Sequence, residues 1–333
     1  MTFERVGLIV NPQSGAGRAL LAAVEALRAL APREVWTGAG EMGGDALAGL
    51  PITAHPLDWS HLSGRARSAW IAQRCVEAGV EALVVLGGDG TLADVALAIQ
   101  GSDVPLLGVG VGTANVGPLV TCLAIDVARL AGAEYDVTLV PGLLAGVNGA
   151  DLGLGFNDVV VDFTVLATLG GQMVNVDAVG KMSGQNNRRD PEPIGGPDTR
   201  VVRREGQTET LVAEGAQVAT LIVGLPDERF YGKAIAGGVL LSSMLDEPAG
   251  CLVCDHLLIR TALDPAAHRR SEPVLSRYVG LRETDRLEAG GFRPGAVLCA
   301  DGNPLAVLSA TDIAQVRVGR GLARTLRLKE NIR

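Results

Sequence analysis

Asp89 is the one carboxylate in a run of glycines, Gly87-Gly88-Asp89-Gly90-Thr91, that follows the apolar stretch 83–86. Glycines let another group approach the backbone closely. The first amides of a helix beginning there are unpaired donors at the positive end of its dipole, where anions bind. A phosphate cradle alone has no need of an acid, so Asp89 suggests magnesium coordination or a general base for a hydroxyl. An ordinary strand-to-helix turn whose Asp caps the helix is the competing account. Two further loops could join this one. Residues 11–17 offer Asn11, Ser14, Gly15 and Gly17 as side-chain and backbone partners for a phosphate, and residues 110–117 supply further glycines with Thr113 and Asn115. Later in the chain Asn157 and Asp158 pair an amide with a carboxylate, a combination suited to adjacent ribose hydroxyls; a cap or turn would use the same residues.

All three loops follow apolar segments, residues 6–10, 83–86 and 104–109, that read as buried parallel strands. Leu20, Val24 and Leu27 form a helical stripe after the first loop, and Leu92, Val95, Ala96 and Ile99 form one after the second. In a parallel sheet the loops at the carboxyl ends of the strands lie on one side, where ligands bind, so the three loops can converge. After about residue 140 the pattern changes to short β-like segments: 159–165, 211–213, 218–223, 239–242 and 251–259, then 296–299, 306–309 and 313–318. Residues 184–198, crowded with Gly, Asn, Pro and charge, read as a mobile loop, either a lid or a surface excursion. Asp301-Gly302-Asn303 reads as a hairpin turn.

The motif Asn11-Pro12-Gln13-Ser14-Gly15, with Gly87-Gly88-Asp89-Gly90-Thr91 about 75 residues further on, resembles the superfamily shared by NAD kinases, diacylglycerol and sphingosine kinases and, more distantly, phosphofructokinases. Asn115-Val116-Gly117-Pro118-Leu119 resembles a segment of NAD kinases. Gly155-Phe156-Asn157-Asp158 resembles their Asn-Glu motif with Asp in place of Glu, and residues 232–238 give a looser match. Thr113-Ala114-Asn115 also echoes the lipid kinases. The resemblance implies that Asp89 is the acid-base group and that Asn157 and Asp158 hold a ribose or the nicotinamide nucleotide. It gives Asp301 a secondary claim as a site residue. The departures suggest an outlying branch, such as the NAD-kinase-like proteins associated with acetoin catabolism.

Composition limits the alternatives. The 333 residues carry a net charge of −8 with a pI near 5.1 and no basic cluster, which argues against nucleic acid as the partner. Arg188-Arg189 and Arg203-Arg204 read as solvated loop charges. Aromatic residues are 3% of the chain, too few for a base-stacking surface. Five cysteines include one Cys-x-x-Cys, Cys251 to Cys254, which fits a strand of small buried side chains better than a metal or redox site; no metal site is specified. No apolar run reaches the roughly 20 residues that span a bilayer, and no amphipathic basic helix offers a surface anchor. A cytoplasmic protein without a stable membrane anchor is expected.

The expectation is an α/β domain with a parallel sheet over 1–140 and a β-rich domain over 141–333, whose last segment is free to return to the first. Its active site would lie in the cleft between them. ATP would supply the phosphoryl group with Mg2+, Gly87, Gly88, Gly90 and Thr91 would cradle phosphate with Asn11, Ser14 and Gly15, and NAD would be the favoured acceptor. A lipid or small-polyol kinase and a non-catalytic nucleotide-binding protein remain the alternatives, and the protein is expected to be a homo-oligomer.

Overall fold

The computed structural model describes residues 3–111, 117–169, 172–226, 241–258 and 273–329. Its contacts divide the chain into one unit formed by Met1–Pro141 with Arg320–Arg333 and a second formed by Gly142–Gly319.

In the first unit, strands β1 (Arg5–Val10), β2 (Glu34–Gly38), β3 (Thr53–Leu57), β4 (Ala82–Gly87), β5 (Leu106–Gly110) and β6 (Val120–Leu123) make a parallel sheet. Its order is β3-β2-β1-β4-β5. Every residue of β4 is buried, as expected of a strand covered on both faces. One face packs on helix α1 (Arg18–Leu30), with Val6, Leu8, Val10, Val84 and Leu86 meeting Ala19, Ala23, Ala26 and Leu27. Alanines let the helix sit close to the sheet, so the buried face of α1 is mainly alanine, while Leu20 and Val24 are only partly covered. Helices α2 (Ala66–Glu77) and α3 (Asp89–Ala98) pack on one another; Cys75 of α2 lies against Gly7 on the other face of the sheet. The chain leaves β1 toward one edge and returns from α2 to β4 on the opposite side of β1. The strand order therefore reverses between β1 and β4, and this is the point at which open α/β sheets bind ligands. Thr325, from the end of the chain, pairs in parallel with Leu106.

The second unit is antiparallel. Strands β9 (Asp158–Asp162), β14 (Thr220–Gly224), β15 (Ala249–Cys254), β16 (Ser276–Leu281), β18 (Val297–Ala300) and β19 (Asn303–Val307) form one sheet in the order β16-β15-β14-β9-β18-β19. A second layer contains β12 (Gly195–Glu205), β13 (Thr208–Glu214), β17 (Asp285–Phe292) and residues 313–317 of β20 (Ile313–Leu328). The core between them draws on alternate residues of each strand, such as Val159, Val161, Leu221, Val223, Leu298 and Val201. On its other face the first sheet is covered by a hairpin, β10 (Thr164–Leu169) with β11 (Gln172–Asp177), and by helix α4 (Ala178–Met182), which meet Val297 and Cys299. Strands β7 (Tyr135–Val147) and β8 (Ala150–Gly155) form the hairpin that precedes β9.

Several expectations are corrected. Leu241 and Ser242 open a helical turn, Leu241–Met244, instead of ending a strand; Val239 and Leu240 lie outside the described residues. The strand at Cys251 stops at Cys254, because the Asp255 carboxylate turns to the His256 ring at 2.6 Å and to the Leu275 amide at 3.0 Å. Residues 184–198 are tied down: Asn187 accepts from the Asp177 amide at 2.8 Å, Arg189 pairs with Asp177 and Glu192 and lies over the Phe163 ring, and the segment from Gly195 is already β12. Arg203 and Arg204 are strand residues, with Arg204 paired to Glu209 and Glu288. Cys251 and Cys254 are buried strand residues without a disulfide, and among the described residues no group of three or more His, Cys, Asp or Glu side chains could hold a metal ion. No described helix is long and apolar enough to cross a membrane.

Candidate functional site

The loops after β1, β4 and β5 meet at the carboxyl end of the first unit's sheet. The Asn11 amide N–H donates to the Leu86 carbonyl at 2.9 Å and that of Val111 donates to the Gly87 carbonyl at 3.1 Å, so each loop starts from a fixed point. Asn11 then serves both neighbours: its Oδ1 accepts from the Gln13 amide at 3.1 Å, closing an Asx turn, and its Nδ2 donates to Thr91 Oγ1 at 2.8 Å. Ser14 donates its amide to the Asn11 carbonyl at 3.1 Å and begins a helical turn, Ser14–Gly17, that leads into α1. Gly15 passes close to the third loop; a Cβ built there would stand 2.3 Å from the Val111 carbonyl oxygen, at a φ of +64°. Gly17, at φ +84°, occupies the position immediately before α1.

Asp89 is the first residue of α3, after Gly88. The position before the helix belongs to Gly88, whose carbonyl accepts from the Thr91 amide at 3.0 Å and the Leu92 amide at 3.2 Å. Asp89 Oδ1 accepts from the Gly117 amide at 2.9 Å, tying the third loop to the second. Gly87 is crowded, with a built Cβ 2.6 Å from Thr91 Cβ, whereas one at Gly88 would meet nothing within 4 Å among the described residues. Open space over Gly88 beside the first turn of α3, and therefore beside Gly90, is room for a phosphate. The oxygens of Asp89 and Thr91 suit Mg2+, which is bound typically through one or two carboxylates plus substrate phosphates. Thr113 and Asn115 lie outside the described residues, as do residues 232–238.

In the second unit Phe156 and Asn157 join β8 to β9, and Asp158 begins β9. Asp301 organises this connection. Its Oδ2 accepts from the Phe156 amide at 2.7 Å, and its Oδ1 accepts from those of Asn157 at 2.8 Å and Asp158 at 3.1 Å. Burial, then the Asp158 carboxylate, push the Asp301 carboxyl up to about 8, against the three amides that favour its charged form. The Asn157 carbonyl accepts from Leu225 at 3.1 Å, while its side-chain Oδ1 is buried without a hydrogen-bond partner among the described residues. Two neighbouring groups passed unnoticed in the sequence. Lys181 of α4 donates to the Gly302 carbonyl at 3.1 Å. Asp162, at the far end of β9, is 1% exposed, and burial raises its carboxyl to about 6. Asp-Gly is itself a common hairpin turn, so only the resemblance gave Asp301 a claim in the sequence.

Residues 5–129 match the diacylglycerol kinase catalytic domain. Along nearly its whole length the chain is 29% identical to an uncharacterized protein of Archaeoglobus fulgidus, over 97% of this chain and 98% of that protein. A NAD kinase of Geobacter sp. (strain M21) is 32% identical over 133 residues, which cover 37% of this chain and 46% of that enzyme. Among solved structures, yeast NADH kinase complexed with NADH has a TM-score of 0.53 at 15% identity, covering 99% of this chain and 85% of that one. A candidate diacylglycerol kinase from Bacillus anthracis str. Sterne has a TM-score of 0.52 at 13% identity, covering 98% of both chains. The fold, a parallel α/β sheet followed by a β-rich region, is the one these kinases share.

Proposed function

We infer that this chain, which belongs to the NAD kinase and diacylglycerol kinase-like superfamily, transfers a phosphoryl group from ATP to a hydroxyl, with the adenosine ribose of NAD as the favoured acceptor. The observation that carries the reading is the position of Asp89 where three loops meet, its carboxylate held by the Gly117 amide beside the open backbone of Gly88.

Phosphoryl transfer asks mainly for positioning and charge neutralisation. The backbone of Gly87, Gly88 and Gly90 would hold the donor phosphates, with Thr91, Ser14 and the Asn11 loop around them. Asn11 acts through Thr91, whose hydroxyl it orients. The acceptor oxygen forms its bond to the γ-phosphorus as the bond from that phosphorus to the β–γ bridging oxygen breaks, leaving ADP. The acceptor proton passes to the Asp89 carboxylate, which the Gly117 N–H keeps oriented. Magnesium, when bound, neutralises the charge developing on the phosphate oxygens.

For the acceptor, Asn157 and Asp158 provide one amide and one carboxylate, and the unmet Asn157 Oδ1 calls for a donor such as a hydroxyl. Asp is one methylene shorter than Glu, so its carboxylate can address a different hydroxyl from the one taken in NAD kinases. A lipid hydroxyl is the second reading, favoured by the diacylglycerol kinase match; yet residues 5–129 fall within the phosphate-binding unit and bear little on the acceptor. Purified protein with ATP and magnesium, offered NAD, NADH, diacylglycerol, sphingoid bases and small polyols, tests both. Phosphorylation of NAD or NADH alone is the expected result; turnover of a lipid alone would replace the acceptor, and ATP binding without turnover of any would leave a binding protein.

A further inference from the structure

Asp301 and Gly302 are the two central residues of the β18–β19 hairpin, with φ of +47° and +73° and with Ala300 paired to Asn303. That is the backbone of a type I′ turn, which Asn-Gly or Gly-Gly would form as well as Asp-Gly. The carboxylate is therefore surplus to the turn, and it is spent elsewhere. It accepts three consecutive backbone N–H groups, those of Phe156, Asn157 and Asp158, while the Asp301 amide donates back to the Asp158 carbonyl at 3.0 Å. The connection it grips is tight: a Cβ built on Gly155 would stand 2.6 Å from the Asp158 carbonyl oxygen, and Phe156 is 1% exposed. Amides in so short and covered a connection must find acceptors, and one side chain supplies all three.

We propose that Asp301 is the positioning residue of the acceptor site, fixing the backbone of residues 156–158 so that the Asn157 and Asp158 side chains are held ready for the acceptor hydroxyls. Each of those side chains stems from a Cα one bond from a gripped nitrogen. Rotation of either peptide would swing it, and the carboxylate blocks that rotation. Lys181, donating to the Gly302 carbonyl, braces the turn from α4. The proposal rests on the reading of Asn157 and Asp158 as acceptor-binding, and its test keeps the two apart.

Asp301→Asn and Asp301→Gly both preserve the type I′ turn. Asn keeps one carbonyl oxygen for the amides of Asn157 and Asp158 but turns an NH2 toward that of Phe156; Gly abandons all three. Hydrogen exchange on the full-length protein reads the grip without any substrate. The amides of residues 156–158 should exchange at least about 10-fold faster in Asp301→Gly and to an intermediate degree in Asp301→Asn, with melting temperature followed in parallel. The acceptor KM should rise in the same order, about 10-fold for Gly, with the ATP KM within about 2-fold, whereas a structural defect alone would degrade both. Unchanged exchange at residues 156–158, or equal changes in the two KM values, overturns the positioning role. Asp158→Ala is the control. If it raises the acceptor KM while the Asp301 variants do not, the positioning role alone fails; if it too leaves the acceptor KM unchanged, the acceptor assignment fails with it.

Discussion

The side chain of Asn11 is hydrogen-bonded to the hydroxyl of Thr91 at 2.8 Å, so the first residue after β1 governs a side chain in the first turn of α3. The two lie on either side of the point where the strand order reverses, and the bond makes the β1 and β4 loops one structure. Double-mutant cycles should detect it. Asn11→Ala and Thr91→Val should each lower stability, with a coupling of about 1 kcal/mol between them in denaturant unfolding. Strict additivity would show that the bond contributes nothing.

Asp89→Asn tests the acid-base role cleanly because the replacement amide oxygen still accepts from the Gly117 N–H. Melting temperature should stay close to wild type. Turnover should fall at least about 100-fold, the low end for losing a general acid-base group. Retained turnover in the phosphorylation assay would remove Asp89 from the chemistry.

Gly87 and Gly88 should respond in opposite ways. At Gly87 an added methyl meets the Thr91 side chain, so Gly87→Ala should lower the melting temperature. Gly88 has φ −90° and ψ 177°, which any residue adopts, and a Cβ there meets nothing within 4 Å among the described residues, so Gly88→Val should fold normally. It should nevertheless abolish ATP binding, because the branched side chain fills the room a phosphate needs. Calorimetry with ATP beside thermal melts of both variants decides the matter, and wild-type affinity in Gly88→Val would mean the loop holds no phosphate.

Asp162 predicts a pH dependence of stability. Its folded carboxyl is raised from 3.8 to about 6, chiefly by burial, so the folded state binds a proton more tightly than the unfolded state. The resulting penalty is absent below about pH 4, grows as pH rises from the unfolded to the folded value, and is complete above it, at about 3 kcal/mol. Asp162→Asn keeps an oxygen for the Thr164 amide and hydroxyl, which Asp162 Oδ1 now accepts at 2.8 and 3.0 Å, and replaces an Oδ2 that has no hydrogen-bond partner among the described residues. Its melting temperature should exceed wild type near pH 7.5 and match it near pH 4. A pH-independent difference would exclude the titration.

Much of the phosphate-binding unit is legible in the chain because its signals are local. Residues 82–87 are apolar at every position except the final glycine, which marks a strand buried on both faces. The glycines that follow announce a turn, and Leu92, Val95 and Ala96 show the period of a helix. The alternation of the later strands likewise announces an antiparallel layer, and the α/β-then-β architecture follows from these periods. Motif pairs such as Asn11 to Gly15 with Gly87 to Thr91 carry the superfamily resemblance without any knowledge of packing.

Tertiary structure alone decided which of those residues address one another. Nothing local tells Asp89 that its Oδ1 will accept from the Gly117 amide, because the loop after β5 is brought to it only by the pairing of β4 with β5. Nor could the Asp301-Gly302 turn disclose its grip on residues 156–158, because that depends on β18 pairing with β9 in the register that sets Ala300 opposite Val159. Composition announced an exposed loop up to residue 194, where β12 takes over at Gly195, but not what ties it down: it reports how little a segment can bury by itself, whereas Arg189 is held by Asp177 and Phe163 from elsewhere in the chain. Local sequence sets dihedral preference and hydrophobic period, which are properties of neighbours along the chain; the partner of a carboxylate is chosen by strand register, which is a property of the folded sheet.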